Sequence, residues 1–149
     1  MSPRLVVFDL DGTLIDATRD LATAVNRALG AMVPGTPPIP EATIRSFIGE
    51  GALLLVSRSL SFAGVDLSPQ QALPVFLDCY RGCLLDTTVL YPGVVDTLDA
   101  LAGRTLAVLT NKPGDMSRTI LAGLGVASRF ARIYGGGDQI DIIKGDAYY

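Results

Sequence analysis

The chain has 149 residues, of which 49% are hydrophobic and 18% charged, so we expect one globular domain with a buried core. The net charge of −3, with no cluster of Lys or Arg, argues against nucleic acid as the main partner. The sequence contains 0 histidines, which excludes serine–histidine–aspartate catalysis and imidazole-bound metals.

The first predicted element is a short strand over residues 4–8, "RLVVF". Its apolar and partly β-branched run is typical of a parallel strand that is covered on both faces. The run stops at Asp9, which makes it too short for a signal peptide or a membrane span. We therefore expect no membrane partner and a cytoplasmic location.

Several helices are predicted between this strand and residue 86. Apolar residues recur every three or four positions from Leu21 to Met32, which indicates one helix. "EATIRSFI" and "ALLLVSRSL" predict two more helices, hinged at Gly49 and Gly51. "SPQQ" at residues 68–71 has the pattern of a capping box and predicts the start of a helix that continues to Leu84.

The pattern changes after "YPG" at residues 91–93, where helices begin to alternate with strands. A helix over residues 94–101 leads into a strand, "TLAVLT", over 105–110, and "TNKPGD" then reads as a polar turn. A helix over 116–124 and a third strand in "FARIYGGG" follow. Such alternation predicts an α/β fold, a three-layer Rossmann-like parallel sheet with an inserted α-helical segment.

Polar side chains follow two of the predicted strands. Asp9 and Asp11 end the first strand, and Thr110 and Asn111 end the second. Ligands of open α/β sheets bind at the carboxyl ends of the strands, so we expect these four side chains to share one site.

The pair of aspartates predicts metal-assisted chemistry. Two carboxylates this close repel each other unless a cation or proton lies between them, and Mg²⁺ prefers oxygen ligands. Asp9 would then act as a nucleophile and Asp11 as a general acid and base, while amides near Gly12 would form an anion-binding nest. The alternative is that Asp-Gly here is only turn chemistry and that Asp9 caps a loop.

"DLDGTLID" resembles the first motif of the haloacid dehalogenase superfamily in its phosphatase form, and "YPGV" and "LAVLTNKP" resemble the run into the second motif. Within that superfamily, "TIRSFIGEGALLLVSRSL" and "TNKP" are most similar to the phosphoglycolate phosphatases. The similarity covers residues 4–138. It implies Mg²⁺-dependent hydrolysis of a phosphate monoester through an aspartyl-phosphate, on 2-phosphoglycolate or a similar small phosphorylated metabolite.

The resemblance assigns roles to individual residues. Asp9 would become phosphorylated and bind Mg²⁺. Asp11 would protonate the leaving alkoxide, activate water, and offer its backbone carbonyl to the metal. Thr110 would donate its hydroxyl to the transferring phosphoryl group, with help from the Asn111 amide. An acid at Asp11 favours phosphate chemistry over carbon–halogen cleavage, because the dehalogenases of the superfamily lack it.

The resemblance also divides the chain into a core, residues 1–15 and 87–149, and a helical cap, residues 16–86. Arg45 and Glu50 lie where similar proteins place cap residues that select the substrate, although a lone arginine on a helix is often a solvated charge. Lys112 is expected either to touch an anionic substrate or to be solvated in an exposed turn. Asp16 is interpreted as a helix N-cap in preference to a catalytic group.

The end of the chain departs from the family pattern. Lys144 falls where the phosphate-stabilising lysine of the family would be, but Gly145 follows it where the family has proline. "DIIKGD" can alternatively be aligned with the acidic motif that completes the metal site, with Asp146 as a ligand. A displaced, irregular end is the simplest interpretation.

The sheet implied by the resemblance has its first strand at the centre, and the strands that should cover one side of it have no counterpart here. "LVVF" would then form an exposed apolar edge. We expect either a fragment of a longer protein, or a homodimer or swapped dimer that covers this edge. Two alternative functions stay open: a β-phosphoglucomutase-like phosphotransferase, and a catalytically incomplete fragment that acts only through the open edge.

Overall fold

The computed structural model describes residues 4–138. The strands are β1 (Leu5–Phe8), β2 (Ile15–Asp16), β3 (Val89–Leu90), β4 (Thr105–Pro113) and β5 (Arg132–Gly136). The helices are α1 (Thr18–Met32), α2 (Glu41–Arg45), α3 (Ala52–Ala63), α4 (Pro69–Arg81), α5 (Val94–Ala100) and α6 (Gly114–Gly123), with a 3₁₀ turn at Ala127–Arg129.

A three-stranded parallel sheet in the order β1-β4-β5 forms the centre of the α/β core. Phe8 pairs with Val108 of β4, and Val108 pairs with Ile133 of β5, so the strands are in parallel register. The α/β class with a parallel sheet, and the three main strands, are confirmed. Among the described strands, β1 lies at an edge and pairs with β4 alone, as expected from the resemblance.

Only one face of this sheet is covered within residues 4–138. Leu106 and Val108 are buried in the same apolar core as residues of α5 and α6. On the other face, Leu5 is 54% exposed, Val7 52% and Leu109 46%. The prediction that the first strand is covered on both faces is therefore wrong for the described residues, because no helix among them packs against Leu5 and Val7.

The helical segment leaves and rejoins the core at neighbouring points. Helices α1 to α4 lie between β2 and β3, two short strands that were not predicted and that pair antiparallel, with Ile15 opposite Leu90 and Asp16 opposite Val89. The segment over residues 16–86 is called the helical insertion below. Its role as a cap domain stays a prediction.

Two local predictions have different outcomes. The capping box is confirmed, because the Ser68 side chain accepts the backbone N–H of Gln71 and the Gln71 side chain accepts that of Ser68. The prediction of "TNKPGD" as a polar turn is wrong: β4 continues to Pro113, which pairs with Gly136 of β5, and α6 begins at the next residue. Within residues 4–138, no helix combines the length and the apolar character needed to cross a membrane.

Candidate active site

A tight turn after β1 presents the two aspartates at the carboxyl end of the sheet. The Leu10 carbonyl accepts three backbone N–H groups, from residues 13, 14 and 15, at 2.9–3.2 Å. Gly12 has φ +77°, which favours glycine, and its N–H donates to the Ile15 carbonyl at 3.0 Å. This N–H is therefore already bonded, so the anion nest predicted at Gly12 is not built from that amide.

Asp9 and Asp11 have different environments. Asp9 is exposed, and its Oδ1 accepts the Leu10 N–H at 2.7 Å. The Asp11 side chain is 14% exposed, and its Oδ1 is buried with no hydrogen-bond partner among the described atoms. A buried oxygen without a partner carries a desolvation cost, which is typical of an atom kept for a ligand or a proton.

Lys112 is the cation beside Asp11. Its Nζ lies 3.3 Å from Asp11 Oδ2 and donates to the Tyr80 hydroxyl, and only 3% of its side chain is exposed. Of the two expectations for Lys112, a solvated position in an exposed turn is wrong, because residue 112 belongs to β4 and its side chain is buried. Contact with an anionic substrate stays a prediction. Burial raises the pKa of the Asp11 carboxyl and lowers that of Lys112, while the attraction between the two charges opposes both shifts.

The end of β4 supplies two further groups. Thr110 is buried, and its hydroxyl accepts the backbone N–H of Lys112 at 3.1 Å. This leaves the hydroxyl hydrogen of Thr110 available as a donor. The Asn111 side chain donates to the Gly49 carbonyl at 3.1 Å, which ties the helical insertion to the core at the mouth of the site.

These groups line one cleft between the sheet and the helical insertion. The core contributes Asp9, Asp11, Thr110, Asn111 and Lys112. The insertion covers them mainly with apolar side chains: Leu21, Ile48, Leu55, Phe76 and Leu77, together with Tyr80. The structure thus brings together the four residues expected to share a site, and adds Lys112.

Other predicted residues lie elsewhere. Arg45 forms an ion pair with Asp16 at 3.6 Å, and Glu50 pairs with Arg58; neither Arg45 nor Glu50 lines the cleft, and their substrate role stays a prediction. Asp16 Oδ1 accepts the N–H of Thr18, the first residue of α1, at 3.1 Å, but Ala17 holds the N-cap position, so the prediction of Asp16 as the N-cap is wrong by one residue.

The donor set matches Mg²⁺ only in part. Asp9 and Asp11 offer oxygen ligands, as Mg²⁺ prefers. Within residues 4–138, no group of three His, Cys, Asp or Glu side chains comes together as a metal site. Lys144 and Asp146, the predicted phosphate-stabilising lysine and third carboxylate, lie outside the described residues.

Tyr80 was not singled out as a site residue from the sequence. It lies on the buried face of α4 and is 1% exposed. Its hydroxyl was the available signal, because a buried tyrosine needs a hydrogen-bond partner, but the sequence does not show which polar group supplies it.

Comparison with known proteins places these features in a family. A model of the haloacid dehalogenase-like hydrolase family matches residues 3–147. The chain is 39% identical over 145 residues to a phosphoglycolate phosphatase of Colwellia psychrerythraea, covering 92% of this chain and 63% of that protein. It is 42% identical over 142 residues to a phosphoglycolate phosphatase of Pseudomonas putida, covering 90% of this chain and 51% of that protein.

A solved structure agrees with the sequence comparison. The crystal structure of a predicted phosphoglycolate phosphatase from Haemophilus somnus superposes with a TM-score of 0.83 at 34% identity, covering 93% of this chain and 65% of that chain. The chain therefore spans between about half and two thirds of the length of these relatives. With a family match over nearly its whole length, and the double aspartate and Thr110 around one cleft, the chain belongs to the haloacid dehalogenase-like hydrolases.

Proposed function

We propose that the chain carries the active site of a Mg²⁺-dependent phosphatase that hydrolyses small phosphate monoesters through an aspartyl-phosphate. The observation that carries this proposal is the cleft that Asp9, Asp11 and Thr110 line together. The curated relatives described above, which are named phosphoglycolate phosphatases, support the same reaction class. A cytoplasmic location stays a prediction from the sequence.

In the first step, a carboxylate oxygen of Asp9 attacks the phosphorus atom, and the bond from phosphorus to the alcohol oxygen breaks. Asp11 gives a proton to the departing alkoxide, so that a neutral alcohol leaves. Thr110 donates its hydroxyl hydrogen to a phosphoryl oxygen, where negative charge must be stabilised. The exposure of Asp9 and the unpaired Oδ1 of Asp11 suit these two roles.

In the second step, water attacks the phosphorus atom of the aspartyl-phosphate, and the bond from phosphorus to Asp9 breaks. Asp11 accepts the proton from that water, which returns both carboxyl groups to their starting states and releases inorganic phosphate. Apolar side chains of the insertion over the cleft limit the access of other water molecules to the intermediate.

Mg²⁺, held by the Asp9 carboxylate and the Asp11 backbone carbonyl, would neutralise charge between the phosphate and the aspartates when bound. Asp146 is proposed as its third ligand from the sequence. A substrate like 2-phosphoglycolate is proposed from the names of the relatives, and the insertion meets the core at this cleft, where the Asn111 side chain donates to the Gly49 carbonyl.

Phosphate release from 2-phosphoglycolate by the 149-residue chain, titrated with Mg²⁺, tests the proposal. Asp9→Asn is the control, because it removes the nucleophile and keeps nearly the same shape. We expect activity that saturates with Mg²⁺ and falls by at least about 10³-fold in Asp9→Asn. A folded chain with no Mg²⁺-dependent release, or equal activity in Asp9→Asn, would refute the proposed function.

A further inference from the structure

Lys112 and Tyr80 form a buried contact that joins the helical insertion to the acid–base residue. Tyr80 is the next-to-last residue of α4 and is 1% exposed. Lys112 lies on β4 of the core. Its Nζ donates to the Tyr80 hydroxyl and lies 4.4 Å from the centroid of the Tyr80 ring, while Asp11 Oδ2 lies 3.3 Å from the same nitrogen.

This arrangement leaves the two oxygens of Asp11 unequal. Oδ2 is paired with the Lys112 ammonium, whereas Oδ1 is buried without a partner among the described atoms. A carboxyl group that rotates freely would exchange these two positions. The ammonium therefore selects one orientation, and Tyr80 restricts the ammonium in turn through its hydroxyl and its ring.

Tyr80 is itself held rigidly. Its ring stacks on Phe76, one turn earlier on α4, with a centroid separation of 5.8 Å and an interplanar angle of 18°. Both residues line the cleft on the side of the insertion. The position of the Lys112 ammonium, and with it the orientation of Asp11, depends on how α4 is seated on the core.

We propose that Lys112 and Tyr80 are positioning residues: Tyr80 fixes the Lys112 ammonium, and the ammonium holds Asp11 Oδ2 so that Oδ1 faces the substrate oxygen for proton transfer. The inference rests on the proposed function, because it assigns the proton transfer to Asp11. Under this proposal, acid–base catalysis requires α4 of the insertion to pack correctly on the core. Tyr80 contributes without contacting the substrate.

The first test compares two esters that differ in their need for a general acid. The leaving alkoxide of 2-phosphoglycolate must be protonated, whereas p-nitrophenyl phosphate releases a stabilised phenolate that needs little help. We expect Tyr80→Phe to lower kcat/KM, which reports the ester-dependent first step, by about 10-fold for 2-phosphoglycolate and Lys112→Met by about 100-fold, with losses at least about fivefold smaller for p-nitrophenyl phosphate. The matched control is Tyr134→Phe, which removes a hydroxyl from the half-buried tyrosine of β5 and should change neither rate.

The second test does not depend on activity. Tyr80→Phe and Asp11→Asn are combined in a double-mutant cycle measured by reversible unfolding, first with Lys112 present and then in the Lys112→Met background. We expect the two substitutions to be non-additive by at least about threefold in the unfolding equilibrium constant, and to become additive once Lys112 is replaced.

The outcomes separate the two proposals. Equal losses for both esters, or additive effects with Lys112 present, would overturn the positioning role and leave the pair as a packing contact. Failure of the unsubstituted, folded chain to hydrolyse either ester would refute the proposed function and the catalytic part of this inference. The cycle would still decide whether Tyr80 and Asp11 are linked through Lys112.

Discussion

The Asp20 carboxylate receives both the backbone N–H and the hydroxyl hydrogen of Thr88, at 2.8 Å and 2.7 Å. Thr87 adds its own N–H and hydroxyl to the same carboxylate. Asp20 lies in the first turn of α1, and the two threonines lie just before β3, so this contact joins the two ends of the helical insertion. The side chains of Asp20 and Thr88 are buried, which makes the contact strong and sensitive to change.

We predict that Asp20→Asn destabilises the fold by about 3 kcal/mol, because the amide nitrogen replaces one acceptor oxygen and faces N–H and O–H donors that lose their partner. Chemical denaturation measures this change. The matched control is Asp86→Asn, at an exposed aspartate that directly precedes Thr87. It should change the free energy of unfolding by less than about 0.5 kcal/mol. A similar small effect in both variants would contradict the prediction.

The same carboxylate predicts a pH dependence. Burial raises the pKa of Asp20, but the hydrogen bonds from Thr87 and Thr88 outweigh it and hold the pKa below its usual value. A lowered folded-state pKa gives stability that is fully present above the unfolded-state pKa of about 3.9 and is lost as pH falls through the folded-state pKa. We expect the stability difference between the chain and Asp20→Asn to be constant above about pH 5 and to shrink below about pH 4, as unfolding titrations at each pH would show.

Gly135 of β5 lies tightly against the backbone where β4 ends and α6 begins. A Cβ atom at this residue would lie 2.5 Å from the Lys112 carbonyl and 2.6 Å from the Gly114 nitrogen. Both are backbone atoms, so relieving the overlap would require a shift of the main chain. We predict that Gly135→Ala costs about 3 kcal/mol or more in thermal unfolding and also displaces the strand that carries Lys112.

The control is Gly103→Ala. A Cβ there would meet no atom within 4 Å, and this glycine does not have positive φ. The melting temperature of Gly103→Ala should stay the same or rise slightly, because alanine lowers the conformational entropy of the unfolded chain. Equal destabilisation in the two variants would mean that the close approach at Gly135 is not the cause.

Thr110 offers a test of the second strand end. Thr110→Val keeps the shape and removes the hydroxyl that we propose as a phosphoryl donor, so kcat should fall by about 10²-fold, while Thr110→Ser should retain most of it. Thr119→Val, on the exposed side of α6, controls for the loss of a threonine hydroxyl and should leave kcat unchanged. Steady-state phosphate release from 2-phosphoglycolate gives kcat for all three variants. If kcat falls as much in Thr110→Ser as in Thr110→Val, the hydroxyl is not the phosphoryl donor that we propose.

The sequence predicted the double aspartate, Thr110 and Asn111 as one site because each directly follows an apolar run, and parallel strands bring such ends together. It did not predict the burial of Lys112. The polar letters of "TNKP" suggest a turn, yet pairing of Pro113 with Gly136 extends β4 through them. Pairing of this kind depends on a strand that is distant in the sequence, so the local composition around residue 112 does not predict it. The contact with Tyr80 was missed for the same reason, since the two residues are 32 positions apart.

Among the described residues, the edge of β1 is an exposed apolar surface. Among the described strands, β1 pairs on one side only, and its exposed residues include Leu5 and Val7. An unpaired row of backbone N–H and C=O groups beside apolar side chains favours addition of another strand. We propose that two copies of the chain associate through antiparallel pairing of their β1 strands.

Val7→Lys tests this association by placing a charge on the exposed face of the edge strand. We expect the mass of the chain from light scattering to rise toward that of a dimer with concentration. Val7→Lys should hold it at that of a monomer, since a lysine on the edge strand opposes strand pairing and the lysines of the two copies would repel each other. Val95→Lys, at a 44% exposed valine on α5, is the matched control and should leave the mass unchanged. A monomer at every concentration, or equal effects of the two lysines, would refute β1 pairing. A dimer without phosphatase activity would instead favour the non-enzymatic alternative, in which the open edge carries the function.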